Sequence, residues 1–351
     1  MQTLPQRILI VSDAWSPQVN GVVTTLRTTA DMLRSWGHTV EVIGPDRFRN
    51  VPLPSYPEIR IALFPARRLR KMIRAFKPDA LHIATEGPLG LAARRFAARR
   101  FAKRKCTPFT TAYHTQFPEY VNVRLPFIPL RLGYAWMRWF HGPATATMVA
   151  TDSMEQRLTE HGMKHLVRWG RGVDTELFKP ERAHSLDLPR PIHLYVGRVA
   201  PEKNIEAFLK LALPGSKLVV GDGPSLETLK ARYPDVHFAG YHRGADLAGY
   251  YAAADVMVFP SLTDTFGLVV LEAMACGTPV AALPAPGSVD QIIPGVNGSV
   301  QADLKQAIEE ALAVASESCR RYALERSWEV CTRQFLQNLQ PAPEEIYESF
   351  A

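Results

Sequence analysis

The chain has 351 residues, of which 46% are hydrophobic and 21% charged, and a net charge of +7. At about 100–200 residues per domain this composition suggests two globular domains and excludes wholesale disorder, collagen and coiled coil. No apolar run approaches ~18 residues, so no membrane span is expected, and the start of the chain lacks the basic and long apolar regions of a signal peptide.

The apolar run Arg7–Asp13 reads as a buried strand. A loop from Ala14 to Gly21 follows. Val22, Leu26, Ala30 and Leu33 then recur at close to helical spacing, which predicts a helix over Val22–Trp36. Gly37 ends it, and Thr39–Ile43 reads as the next strand. Strand, loop, helix and strand make a βαβ unit with a parallel pair.

Residues 60–105 hold fourteen Lys and Arg against two acids, a local charge of +12, so the rest of the chain carries −5. Two helices are predicted there. In Ala66–Lys77, Leu69, Met72, Ile73 and Phe76 form one stripe, with Arg67, Arg68, Arg70, Lys71 and Arg74 around it. Leu91–Lys105 carries Arg94, Arg95, Arg99, Arg100, Lys103 and Arg104. Between Pro118 and Phe140, Tyr120, Phe127, Tyr134, Trp136, Trp139 and Phe140 interleave with Arg124, Arg131 and Arg138. Such a region suits an anionic partner, and basic amphipathic helices with interleaved aromatics suit a membrane surface. The other reading has the apolar faces packed on a sheet and the basic faces merely solvated.

A second βα series begins at Pro191. Ile192–Val196 reads as a strand, Gly197–Asn204 as a loop, Ile205–Leu213 as a helix and Lys217–Val220 as a strand. Val236–Ala239, Asp255–Phe259 and Pro279–Ala282 continue the alternation. The expected fold class is therefore α/β, with helices covering parallel sheets in two tandem domains. The expected division is 1–178, 179–335 and a tail at 336–351, with the Pro-rich stretch Lys179–Pro191 as linker. Gln301–Leu339 is helical by composition. Cysteines stand at 106, 276, 319 and 331, with no Cys-x-x-Cys pair, which is a reduced, cytoplasmic pattern.

Ligands of open α/β sheets bind beyond the carboxyl ends of the strands, so the residues that follow the strands are the candidates. Gly21 starts a helix, where free N–H groups and the dipole favour a phosphate. Gly197 opens a loop that carries Arg198 and Lys203, two cations able to clamp a diphosphate. Asp264 and Glu272 are separated by seven residues, with Phe266, Gly267 and Leu268 between them at a helix start. Amides there can take a phosphate, and each carboxylate can accept two hydroxyls of a sugar or ribose. A cap and an ordinary helix acid would have the same spacing.

These pieces occur together and in order. Asp264–Val280 reads D-T-F-G-L-V-V-L-E-A-M-A-C-G-T-P-V. It resembles the acid, seven residues, then Glu of the retaining GT-B glycosyltransferases of family 4. Tyr195–Arg198 with Lys203, Val220–Pro224, Arg171–Asp174, Pro17–Gly21 and Tyr113–Thr115 extend the resemblance from about residue 8 to 335. The resemblance implies two Rossmann-like domains, an N-terminal one for acceptor and a C-terminal one for a UDP- or GDP-sugar donor. It implies that Glu272 holds the ribose and that Asp264, with the backbone of Phe266–Leu268, holds the transferred sugar. Arg198 and Lys203 would neutralise the diphosphate, Gly21 would let the first domain close on it, and His114 would lie near the anomeric carbon. Asp264 stands where Glu is commoner, and Asn20–Gly21 where some members have Gly-Gly.

No Asp-x-Asp occurs in the chain. With two cations at the diphosphate, transfer is expected to need neither metal nor cofactor. Relatives of this kind include transferases that glycosylate diacylglycerol and phosphatidylinositol, and Phe109–Val121 is similar to the diacylglycerol type. The expected acceptor is thus a membrane lipid such as diacylglycerol, receiving a hexose or hexuronate. The alternative is GDP-mannose- or UDP-glucose-dependent transfer to phosphatidylinositol or to a soluble or lipid-linked glycan. The expected location is the inner face of the cell membrane, held peripherally by residues 60–105. Nucleic acid is not an expected partner, since no helix-turn-helix, zinc-finger or RNP signature accompanies the basic block.

Overall fold

The computed structural model of the chain describes residues 5–18, 20–53, 56–101, 108–114, 118, 119, 127, 129–262, 264 and 266–339, with backbone alone at 56–58, 99–101 and 286. Thr115, Tyr120, Arg124, Lys103, Arg104, Cys106 and the tail from Gln340 lie outside the described residues. The chain divides into two compact units, Met1–Gly170 together with the chain from Glu329 onward, and Arg171–Trp328.

The strands of the first unit are β1 (Arg7–Val11), β2 (Thr39–Ile43), β3 (Asn50–Leu53), β4 (Tyr56–Ala62), β5 (Ala80–Ile83), β6 (Phe109–Tyr113), β7 (Ala146–Val149) and β8 (Leu166–Arg168). Its helices are α1 (Gly21–Ser35), α2 (Ala66–Phe76), α3 (Pro88–Phe101), α4 (Leu130–His141) and α5 (Asp152–Glu160). Six strands form a parallel sheet in the order β2-β1-β5-β6-β7-β8, and β3 and β4 make a separate antiparallel hairpin. The central strands are buried on both faces, which explains why Ile8–Val11 is apolar without alternation. Asn20 caps α1 by accepting from the Val23 amide.

The second unit has β9 (Ile192–Val196), α6 (Ile205–Leu209), β10 (Ser216–Val220), α7 (Leu226–Arg232), β11 (His237–Gly240), α8 (Gly244–Ala253), β12 (Val256–Phe259), α9 (Leu268–Ala275), β13 (Val280–Ala282), α10 (Pro286–Val289), β14 (Gly298–Val300), α11 (Leu304–Ala311) and α12 (Ser316–Leu324). Its parallel sheet runs β11-β10-β9-β12-β13-β14. Apolar clusters fill both faces, one around Leu194, Met257 and Met274, the other around Phe208, Val219 and Ile308. α6 is shorter than its apolar pattern predicts. It stops at Leu209 because the Lys217 ammonium takes the Leu209 and Leu211 carbonyls, and Pro214 and Gly215 turn the chain.

The last helix, α13 (Trp328–Asn338), packs with the first unit from Glu329 on. Phe335 lies 4.8 Å from the Trp169 ring and 4.9 Å from the His82 ring, centroid to centroid, and the Gln334 amide oxygen accepts from the Gly170 N–H at 3.0 Å. The division by packing therefore falls at 170/171, not at 178/179, and residues 329–335 pack with the first unit. Thr175 and Phe178 belong to the second unit, where their carbonyls accept from Arg320.

Two further readings of the basic block are resolved by packing. Leu69 and Ile73 of α2 are buried in the sheet core, with Met72 and Phe76 packed beside them. The apolar face of α2 is thus occupied, while Arg67, Arg68, Arg70, Lys71 and Arg74 are exposed. Arg94 is a buried structural cation. It stacks on Trp139, 3.7 Å from the ring centroid, and donates to the Phe140 and Trp139 carbonyls at the end of α4. No helix of the described residues is long and apolar enough to cross a membrane.

Candidate donor and acceptor sites

In the second unit the strand order reverses between β9 and β12, so the loops after these strands flank a crevice of the kind that holds nucleotides. Gly197, Arg198 and Lys203 follow β9; Asp264, Phe266, Gly267 and Leu268 follow β12. The two loops are joined across the switch point. Lys203 Nζ lies 2.6 Å from Asp264 Oδ1, and Asn204 Nδ2 donates to the Pro260 carbonyl at 3.1 Å. The pair is largely shielded, with 23% and 18% side-chain exposure. Asp264 Oδ2 is buried with no hydrogen-bond partner among the described residues. A buried acceptor left unmade costs about 1–3 kcal/mol, which a donated hydroxyl would recover.

The loop after β9 is packed backbone to backbone. A Cβ on Gly221 would sit 1.9 Å from the Gly197 carbonyl oxygen, and one on Gly223 would sit 2.3 Å from that of Val199. The Val199 N–H donates to the Asp222 carbonyl at 2.9 Å, and the Tyr195 hydroxyl to the Arg198 carbonyl at 2.8 Å. The Gly-Asp-Gly turn thus braces the loop that carries Arg198, which gives it more than a turning role.

Gly267 precedes α9 with φ of 80°, in the left-handed region. Glu272 lies one turn inside, half-buried, and its Oε2 accepts from the Tyr251 hydroxyl at 2.9 Å. Burial pushes its pKa up to about 7, against the lowering effect of the Tyr251 bond. The turn before α9 rests on α10: the Gly287 N–H donates to the Asp264 carbonyl at 3.0 Å, and Gln291 Nε2 donates to the Phe266 and Gly287 carbonyls. Sequence reasoning missed Tyr251, Gly287 and Gln291. Each acts from an element remote in sequence and carries no local motif.

In the first unit the order reverses between β1 and β5. Asp13, after β1, accepts from the Leu89 and Gly90 amides at 2.8 and 3.1 Å and from Thr85 Oγ1 at 3.0 Å. It caps α3, and burial raises its carboxyl above the usual range. This bond set fixes the loop that leads to Gly21, which is exposed at the first position of α1. His114 follows β6, 9% exposed, with its ring edge-on to the buried Trp169 at 5.7 Å. The structure thus gathers Gly197, Arg198, Lys203, Asp264, Phe266, Gly267, Leu268 and Glu272 at one switch point. In the other unit His114 directly follows β6, and Gly21 opens α1.

Residues 190–317 match the family model described as glycosyl transferases group 1, and residues 19–177 match glycosyltransferase family 4. A GDP-mannose-dependent alpha-mannosyltransferase of Mycolicibacterium smegmatis is 32% identical, covering 92% of this chain and 94% of the relative. The chain belongs to the family 4 glycosyltransferases. An alpha-monoglucosyldiacylglycerol synthase of Acholeplasma laidlawii is similar to this glycosyltransferase at 29% identity, over 78% of this chain and 79% of its own. The solved sucrose-phosphate synthase of Thermosynechococcus elongatus superposes with a TM-score of 0.73 at 22% identity, covering 94% of this chain and 97% of its own. The two parallel sheets are the Rossmann-like domains of the GT-B fold, as the sequence resemblance implied, and the glycosyltransferase uses a nucleotide-sugar donor.

Proposed function

We propose that the enzyme transfers a hexose, with retention and without a metal ion, from a nucleotide sugar to a glycerolipid headgroup at an anionic membrane surface. GDP-mannose is the first donor to test, since the mycobacterial relative is a GDP-mannose-dependent enzyme. A diacylglycerol-type lipid is the first acceptor, since the Acholeplasma relative is an alpha-monoglucosyldiacylglycerol synthase.

The observation that carries the reading is the Lys203–Asp264 pair at the switch point, with Asp264 Oδ2 buried and without a hydrogen-bond partner among the described residues. In this reading the ammonium brings positive charge to the switch point, where a diphosphate would lie. In this reading Asp264 accepts a hydroxyl of the transferred sugar, and Glu272 accepts the ribose hydroxyls. Arg198 and Lys203 stabilise the charge that develops on the leaving diphosphate, which is the main electrostatic task of the step. The Phe266–Leu268 backbone and Gly197 line the donor, and the first unit, which carries Gly21 and His114, binds the acceptor. The exposed cations of α2 would hold the enzyme at the cytoplasmic face by charge, since the apolar face of that helix is already buried.

The test incubates purified protein in EDTA with vesicles of phosphatidylglycerol and diacylglycerol. GDP-mannose, UDP-glucose, UDP-galactose and UDP-glucuronate are offered singly, and the lipids are read by mass spectrometry. A glycosylated lipid is expected, with turnover lost in Asp264→Ala and Arg198→Ala while both remain folded. Wild-type turnover in both variants would remove the site assignment. Release of nucleoside diphosphate without a lipid product would remove the lipid acceptor and keep the donor site.

A further inference from the structure

We infer that the outward face of the β3–β4 hairpin, ending in Phe64, is an apolar wedge that enters the headgroup–acyl boundary of an anionic lipid bilayer. The inference rests on the reading of the first unit as the half that meets the membrane.

β3 and β4 pair with Asn50 opposite Ala62 and Val51 opposite Ile61. The Leu63 N–H donates to the Arg49 carbonyl at 2.8 Å, which carries the pairing one residue past β4. Residues directly across a pair share a face, as do residues two apart along a strand. Phe48 and Ala62 therefore turn inward, and both are buried in the core of the first unit. Val51, Ile61 and Leu63 turn outward with Arg49. A hairpin face turned to water is ordinarily polar. Here Val51 is 41% and Leu63 40% exposed.

Phe64 stands at the end of this edge. It is 96% exposed, so its ring lies almost wholly in solvent. Its φ is 47°, a left-handed conformation that costs a bulky side chain free energy. Neither burial nor backbone preference accounts for phenylalanine at this position. Pro65, directly after it, is buried, and its carbonyl accepts from the Leu69 N–H of α2 at 2.9 Å, so the ring is presented from a fixed base.

The charge around the edge selects the partner. Nine Lys and Arg stand between Arg47 and Lys77 against one acid, Glu58. Arg49, Arg67 and Arg68 are exposed, and the Arg68 guanidinium lies over the Phe48 ring at 5.6 Å, which ties α2 to the hairpin. A second copy of this chain would bring like charges together. Anionic headgroups neutralise them while the acyl boundary takes the apolar tip. The stripe of α2 is committed to the core, so the wedge supplies the apolar contribution that α2 cannot. Salt screens the charges but does not weaken apolar burial.

The experiment measures pelleting of the full chain with phosphatidylglycerol–phosphatidylcholine vesicles at low salt and at about 0.5 M salt. Phe64→Asn removes the ring, and asparagine suits a left-handed φ, so the melting temperature should hold or rise. Partitioning should fall about tenfold at both salts, the equivalent of withdrawing one phenylalanine from an apolar site. Phe64→Trp should bind as the wild type does. Its added emission, read as the difference from wild type, should be quenched by bromine on the acyl chains. Equal binding of Phe64→Asn and wild type at both salts overturns the wedge, as does an unquenched tryptophan at 64 in vesicle-bound protein. Lipid-free dimers that Phe64→Asn dissolves, with vesicle binding unchanged, also overturn it and give the edge to a second copy. Wild type that pellets at neither salt removes the wedge together with the membrane reading. Pelleting without a glycosylated lipid removes the acceptor alone, and the Phe64→Asn ratio still decides the wedge.

Discussion

Replacing Tyr251 by Phe should move the pH dependence of nucleotide binding. Glu272 has a pKa of about 7, raised by burial and held down by the Tyr251 hydroxyl at 2.9 Å. A hydrogen bond to a charged group contributes about 1.5–3 kcal/mol, and one pKa unit corresponds to about 1.4 kcal/mol, so losing it should raise the pKa by about one to two units. The ionised carboxylate is the form that accepts two ribose hydroxyls, so affinity should rise as pH rises through the pKa. At pH 7.5 about three-quarters of the wild-type carboxylate is ionised, against about a quarter after a one-unit rise, a threefold or greater loss of affinity. The ring remains in both proteins, so its edge contact with Phe178 at 5.9 Å persists and packing changes little. Calorimetric titration of GDP and UDP from pH 6 to 9 checks this. Titration of the phosphates is common to both proteins and cancels in their ratio. A ratio that stays flat across the range would refute the role given to Glu272.

Gly221→Ala should destabilise the second unit by about 2–4 kcal/mol, because the new Cβ must move the Gly197 carbonyl and the loop bearing Arg198. Its thermal transition and its nucleotide affinity should fall together. Reversing Arg67, Arg70 and Lys71 to Glu should weaken pelleting with anionic vesicles by at least about 3 kcal/mol at low salt, at about 1 kcal/mol per cation, with the melting temperature unchanged. Arg94→Ala should do the opposite, lowering stability through the lost carbonyls of α4 without changing vesicle affinity.

Sequence made the two sheets legible because strands buried on both faces are continuous apolar runs, as in Ile8–Val11 and Leu194–Val196. The donor-site candidates were legible because the residues after β9 and β12 are local in sequence and distinctive together. Their supports were not. Tyr251 reaches Glu272 from α8 and Gln291 reaches Phe266 from beyond α10, and only tertiary packing places them. The stripe of α2 and the charges of α3 gave a membrane pattern, yet the stripe is core and Arg94 is a cap. Periodicity finds an apolar face but says nothing of what covers it. The return of α13 to the first unit has no local signal either, since its apolar face suits any core.

That return also bears on the order of synthesis. Trp169 is fully buried and Phe335 packs on it, yet the ribosome adds them 166 residues apart, with the whole second unit between. At about 5–20 residues per second that interval lasts roughly 8–33 s. By its end the interposed unit has its complete set of strands while the earlier one still lacks its closing helix. The half made first is therefore finished last, and a chain cut short before α13 would leave the indole of Trp169 uncovered for a chaperone or a protease to find.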